Sequence, residues 1–171
     1  MCYNVCSLSS NEGCMMPFIE NVAAADIPAR FHHDCGENSM LIQIMDTATS
    51  WWPTPVHKFK ETHRFEFLDV EDRDNFPEEC KISDEQAQEI VRLLQHALDN
   101  KMGVVVHCMA GLCRSGAVAE VGIMMGFQDT EKTRIPNLRV KHKMMKALGW
   151  TYDENEQPDP ESWRTIQFKN M

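Results

Sequence analysis

No stretch of the chain approaches the roughly 20 consecutive apolar residues that a membrane-spanning helix needs, and Met1-Cys2-Tyr3-Asn4-Val5-Cys6 lacks the basic flank and apolar core of a secretion signal. A soluble, cytoplasmic protein is expected. Positive charge is scarce as well, with 17 Lys and Arg against 26 Asp and Glu and a net charge of -9. Broad contact with nucleic acid or an anionic membrane needs a basic field, so neither is expected as a partner, and any anion recognition has to be local. The seven cysteines are odd in number and contain no Cys-x-x-Cys pair. A chain of 171 residues has enough core to dispense with disulfides, so reduced thiols are expected. Cys2, Cys6, Cys14, His32, His33 and Cys35 lack the regular spacing of metal ligands, and neither metal nor cofactor is predicted. Repeats and low-complexity segments are also missing, and residues 1–171 read as one domain.

What the chain does contain is His107-Cys108-Met109-Ala110-Gly111-Leu112-Cys113-Arg114-Ser115-Gly116, directly after the apolar run Val104-Val105-Val106. This pattern places Cys108 at the end of a buried strand, five loop residues after it, and Arg114 and Ser115 where a helix begins. Such a loop turns several backbone N–H groups toward one point, and the helix dipole makes that point electropositive. A phosphate dianion fits it. The same field favours a thiolate at Cys108, so one loop supplies both an anion site, Met109 to Arg114, and a nucleophile aimed at it. Arg114 offers a planar fork matched to two phosphoryl oxygens. Ser115 is placed to hydrogen-bond the sulfur when it leaves, and His107, pointing back to the core, to brace the loop backbone.

The remaining signals predict an α/β fold, a central, mostly parallel sheet flanked by helices with the phosphate-binding loop between a strand and a helix. Met40 to Met45 is a short apolar run and reads as a buried strand. Arg64 to Val70 is a second strand candidate, followed by the acidic loop Glu71 to Pro77. Ser83 with Gln86 forms a capping box, and Ala87, Ile90, Val91, Leu94 and Leu98 share one helical face. Ser115 to Met125 reads as a buried helix ended by Gly126, and Asn137 to Leu148 as a last helix stopped by Gly149. In residues 1–38 the pattern is weak: Tyr3 to Leu8 suggests a strand and Val22 to Ala25 a helical fragment ended near Pro28. Residues 151–171 read as a loosely packed acidic tail with Trp163 and Phe168 as anchors.

The sequence from Met40 to Leu148 resembles the cysteine-dependent protein tyrosine phosphatases, whose signature is His-Cys-x5-Arg-Ser/Thr, and within them the small dual-specificity branch that includes compact bacterial and bacteriophage forms. The resemblance implies a phosphoprotein phosphatase in which Cys108 is the nucleophile, Arg114 binds phosphate and Ser115 assists hydrolysis of the phosphocysteine. Ile135-Pro136-Asn137-Leu138-Arg139-Val140 resembles the Asn-Pro-Asn-x-x-Val stretch of compact members, which implies that Asn137 steadies the phosphate loop; a simple helix N-cap is an equal reading. The family's general acid is an Asp on a loop above the cradle, and here Asp69, Glu71, Asp72 and Asp74 compete. The strand form x-x-Phe-x-Asp-Val favours Asp69, whereas counting from the strand end favours Asp72.

Cys113, just before the arginine, is similar to the second cysteine of the low-molecular-weight phosphatases. It is either a redox partner that captures a Cys108 sulfenic acid or a small loop filler. The variable positions Met109 to Cys113 carry no Lys or Arg, which favours a phosphoprotein monoester over substrates with several phosphates. Trp51, Trp52 and Trp163 are candidates for the rim or the core. The competing class is a pseudophosphatase or adaptor that binds phosphoproteins without turnover.

Overall fold

A computed structural model describes residues 16–30 and 32–150. Five strands form one wholly parallel sheet: β1 (Phe18–Ala23), β2 (Ser39–Met45), β3 (Glu61–Glu66), β4 (Gly103–Cys108) and β5 (Gln128–Asp129), in the order β3-β2-β4-β1-β5. The helices are a short α1 (Asp26–Ala29), then α2 (Asp84–Asp99), α3 (Arg114–Met125) and α4 (Leu138–Ala147). The expected α/β architecture is the observed one.

β2 and β4 are buried at every position because each is flanked by strands on both edges and covered on both faces. Alternation then sorts their side chains. Met40, Ile42, Ile44, Val104 and Val106 enter the main core with Ile90, Leu93 and Leu94 of α2, Val118 and Val121 of α3, and Met144 of α4. Leu41 and Val105 turn the other way and join Val22, Ile27 and Cys35 in a smaller cluster. α2 begins at the predicted capping box, with Ser83 Oγ accepting from Gln86 N at 3.1 Å and Gln86 Oε1 accepting from Ser83 N at 3.0 Å. Its buried face runs through Ala87, Ile90, Leu93, Leu94 and Ala97, leaving Val91 and Leu98 half-buried. The stripe is thus turned slightly from the predicted one.

Two expectations are corrected. Val22 and Ala23 belong to β1, paired with His107 and Cys108 of β4, and the helix starts only at Asp26. Alanine-rich composition favours helix locally, but the place between β4 and β5 decides in favour of strand. Pro28 sits within the first turn of α1, where its missing N–H costs nothing. β3 runs from Glu61 to Glu66, three residues ahead of the predicted start and four short of its end, in register with Met40 to Met45. As an edge strand it has one solvated face, so Glu61, Thr62 and His63 are polar and hide it from an apolar-run reading. Beyond it Phe67 N still donates to Met45 O at 3.1 Å, but Leu68 N turns to Cys80 O at 2.7 Å and the chain leaves the sheet.

Ser115 to Met125 and Asn137 to Leu148 are close to the observed α3 and α4, with Asn137 as N-cap and Gly149 at φ +73°. The predicted strand Tyr3 to Leu8 and the tail from Thr151, with Trp163 and Phe168, lie outside the described residues. No helix among the described residues is long and apolar enough to cross a membrane.

Candidate active site

All five strands point the same way, so β1, β2, β3 and β4 deliver Ala23, Met45, Glu66 and Cys108 to one edge of the sheet, where parallel α/β folds place their ligands. Between β4 and α3 lie residues 109–113. Their carbonyls are held from outside: Met109 O accepts from Ala24 N at 3.2 Å, Leu112 O from Ile135 N at 3.1 Å and Cys113 O from Asn137 N at 3.0 Å. Gly111 O accepts from the buried Asn21 Nδ2 at 2.8 Å. With the carbonyls turned outward, none of the amides of residues 109–113 donates to an acceptor among the described residues. The N-terminus of α3 begins at Cys113 without a side-chain cap. Together these form a cradle of unused donors, the arrangement that suits an anion.

Gly111 is required by contact as well as by its φ of +73°: a Cβ there would lie 2.4 Å from Ala23 N and from Val22 C. The loop therefore rests directly on the end of β1. Asn21, which bonds Gly111 O, is itself held by Arg134 Nε at 2.9 Å, and Arg134 Nη2 donates to Asp129 at 2.7 Å.

Cys108 is buried at the floor of this loop, its Sγ 3.1 Å from Ser115 Oγ. The Arg114 guanidinium is also buried; its Nη1 donates to Asp46 Oδ1 at 2.7 Å and to Phe67 O at 2.8 Å. Arg114 Nε is buried without a partner. A buried guanidinium N–H left unpaired is costly unless something else accepts from it, and a phosphoryl oxygen in the cradle is such an acceptor. His107 is fully buried, its Nδ1 3.4 Å from Cys108 O and its Nε2 without a partner. Burial depresses its pKa to about 4, so the ring is neutral at physiological pH.

The acid loop packs over the same edge. Asp69 accepts from Asn137 Nδ2 at 2.9 Å, and the same amide donates to Val70 O at 3.1 Å. Asn137 Oδ1 accepts from Val140 N at 3.0 Å, so this residue caps α4, supports Cys113 O through its backbone and holds Asp69 through its side chain. Asp72 is turned away and ion-paired with Arg139, while Glu71 accepts from Leu138 N at 2.9 Å and Arg139 N at 3.1 Å. Asp74 accepts from Glu71 N at 2.6 Å.

Residues 76–126, which contain α2, β4, the loop and all of α3, match the family model described as "Polymorphic toxin system, DSP-PTPase phosphatase". The matched segment, which carries the Cys108 loop, is thus similar to dual-specificity-type phosphatases. No curated protein matches it in sequence. Among solved structures, human DUSP28 is similar at 15% identity and a TM-score of 0.45, over 89% of this chain and 90% of that one. OH1 from the Orf virus, described as a tyrosine phosphatase with triple substrate specificity, is similar at 21% identity and a TM-score of 0.42, over 66% of this chain and 62% of that one.

Cys113 lies beside Asp69, and its thiol is pushed up to about 11, first by burial and then by that carboxylate. Trp51 is exposed, and Trp52 is half-buried beneath Arg64, whose guanidinium carbon is 5.0 Å from the ring centroid; Trp163 is outside the described residues. Among the described residues no group of three or more His, Cys, Asp or Glu side chains is placed to hold a metal ion, and Cys2, Cys6 and Cys14 fall outside them. Sequence reasoning missed Asn21, Asp46, Arg134 and Arg139. Asp46 had a local signal, an acid placed directly after a buried apolar strand; Asn21 had a weaker one, an amide between Ile19 and Val22.

Proposed function

We propose that this chain hydrolyses the phosphate monoesters of phosphoproteins, phosphotyrosine and also phosphoserine and phosphothreonine, through a phosphocysteine on Cys108. The observation that carries this reading is the pairing of a buried Cys108 with a cradle of unused loop amides and an Arg114 whose Nε lacks a partner. The phosphoryl group sits on the amides of Met109 to Arg114, with the Arg114 fork across two of its oxygens. The Cys108 thiolate attacks phosphorus, the P–O bond to the substrate breaks, and Asp69 gives its proton to the leaving oxygen. In the second step Asp69 takes a proton from water, the water oxygen bonds to phosphorus, and the P–S bond breaks as Ser115 donates to the departing sulfur. Inorganic phosphate leaves.

Asp69 is the better acid because its carboxylate faces Asn137 and Cys113 of the phosphate loop, whereas Asp72 is engaged by Arg139. His107 acts as a neutral brace under the loop. We place the enzyme in a reducing, cytoplasmic setting, where the Cys108 thiolate stays active.

The test is hydrolysis of p-nitrophenyl phosphate in the presence of chelator by the wild type and by Cys108→Ser. Loss of turnover together with a trapped phosphocysteine in the wild type supports the enzyme reading; equal rates support the adaptor reading instead.

Cys113 is proposed as a redox partner of Cys108. Peroxide converts the Cys108 thiolate to a sulfenic acid, and the Cys113 sulfur displaces its hydroxyl to give a disulfide and water.

A further inference from the structure

Loops that carry a general acid commonly close over substrate and reopen on each turnover. Here the segment from Asp69 to Ile82 is tied to the N-terminus of α4 at three successive residues. Asn137 Nδ2 reaches Asp69 Oδ1 at 2.9 Å and Val70 O at 3.1 Å. Glu71 spans the first turn of α4, with one carboxylate oxygen 2.9 Å from Leu138 N and the other 3.1 Å from Arg139 N. A carboxylate at that end of a helix is favoured by its dipole and satisfies two amides that have no intrahelical partner. The Arg139 side chain, itself buried, then spreads its guanidinium over the loop: Nη1 to Asp72, Nη2 to Glu78 Oε2 at 3.2 Å, and Nε and Nη2 to Ile82 O at 3.3 and 3.0 Å. Lys81, also buried, closes the far side on Asp72 O at 3.3 Å and Glu78 Oε1 at 3.1 Å.

Resting on the phosphatase reading, we infer that Glu71 and Arg139 are positioning residues that latch the acid loop to α4 and hold Asp69 over the cradle in the absence of substrate. Neither touches the reacting atoms. Their acceptors decide how they act: Asp72 and Glu78 are mostly solvated, so the buried Arg139 guanidinium gathers two exposed carboxylates. Removing it frees the loop without stranding a buried charge. The latch is specific to these residue types, since only a fork of five donors can serve two carboxylates and a carbonyl together.

The experiment compares Arg139→Met, the milder Glu71→Gln and Asp69→Asn on two aryl phosphates, one with a good leaving group and one with a leaving group as basic as a tyrosine phenolate. Loss of a positioned acid costs about 10² to 10⁴ with the basic leaving group, and a misplaced one a part of that. The latch therefore predicts a loss of about tenfold or more for Arg139→Met on the basic leaving group, little loss on the good one, and no added loss when combined with Asp69→Asn. Amide hydrogen exchange across residues 69–80 is expected to speed up in both latch variants. Equal losses on the two substrates, a full further loss in the Asp69→Asn background, or unchanged exchange in folded Glu71→Gln protein would overturn the latch. The exchange measurement needs no turnover. An inactive wild type would thus count against the phosphatase reading while leaving the latch to be decided by exchange alone.

Discussion

Arg114 is fixed from outside its own loop: its Nη1 lies 2.7 Å from Asp46 Oδ1, at the end of β2. Phe67 O takes the same nitrogen from just beyond β3, so two neighbouring strand ends aim one guanidinium and leave its Nε for a ligand. Asp46 acts on an anion in two opposing ways. Its charge weakens the positive field of the cradle, while its hydrogen bond orients the guanidinium fork to which phosphate binding is assigned in the proposed function.

Magnitude separates the two effects. Asp46 is half exposed, so its Coulomb effect is of the size of a surface pair, about 0.2–1 kcal/mol, whereas an ångström of misplacement in an anion clamp costs up to about 10²-fold. Asp46→Ala is therefore expected to weaken competitive inhibition by inorganic phosphate or tungstate by about tenfold, with Asp46→Asn falling between it and the wild type. Inhibition constants at low and high salt check this. Tighter inhibition in Asp46→Ala would show that field outweighs orientation.

Asn21 supports the loop from the other side. Its amide donates to Gly111 O and Thr133 O and its carbonyl accepts from Arg134, so Asn21→Ala takes a partner from two carbonyls and a guanidinium N–H. Losing such a buried hydrogen bond costs about 1–3 kcal/mol. Urea unfolding is expected to show that loss, and phosphate affinity should fall with it because Gly111 no longer has its carbonyl turned outward. Full stability with intact phosphate affinity would remove Asn21 from the loop's support.

Legibility followed the range of the interactions. The strand Met40 to Met45, the Ser83 capping box and the strand-loop-helix around Cys108 are written in adjacent residues, and they stand where the sequence reading put them. β1 and β3 were misjudged because their identity depends on partners: Val22 and Ala23 are strand only beside His107 and Cys108, and Glu61 to His63 are strand only as the solvated edge of β2. The same holds in the site. Cys108, Arg114 and Ser115 share one motif, while Asn21 meets Gly111, Asp46 meets Arg114 and Arg139 meets Asp72 across more than 60 residues of chain. No local pattern records those encounters.

His107 gives the fold an acid-sensitive point. Its folded pKa near 4 lies below the ordinary value of 6.5, so between those limits the unfolded chain binds the extra proton and stability falls as pH falls. The stabilisation is complete above pH 6.5 and is lost progressively down to about pH 4, amounting to about 3 kcal/mol by linkage. Denaturant unfolding at several pH values should show a shallower acid slope for His107→Asn than for the wild type. Equal slopes would mean that the ring titrates normally in the folded state.

Cys113 can form the proposed disulfide only through its thiolate, and with its pKa near 11 that form is scarce at neutral pH. Capture of a Cys108 sulfenic acid should therefore accelerate by about tenfold for each unit that the pH rises toward 11, until the formation of the sulfenic acid itself limits the rate. Part of the upward shift comes from the neighbouring Asp69 carboxylate, so Asp69→Asn is expected to speed capture at pH 7 even as it slows turnover. Mass spectrometry of protein quenched after one equivalent of peroxide reads both effects as a Cys108–Cys113 linkage that dithiol reverses. If the linkage does not form at pH 9, or forms no faster in Asp69→Asn, then Cys113 is a filler of the loop, and over-oxidation of Cys108 should proceed equally in Cys113→Ala.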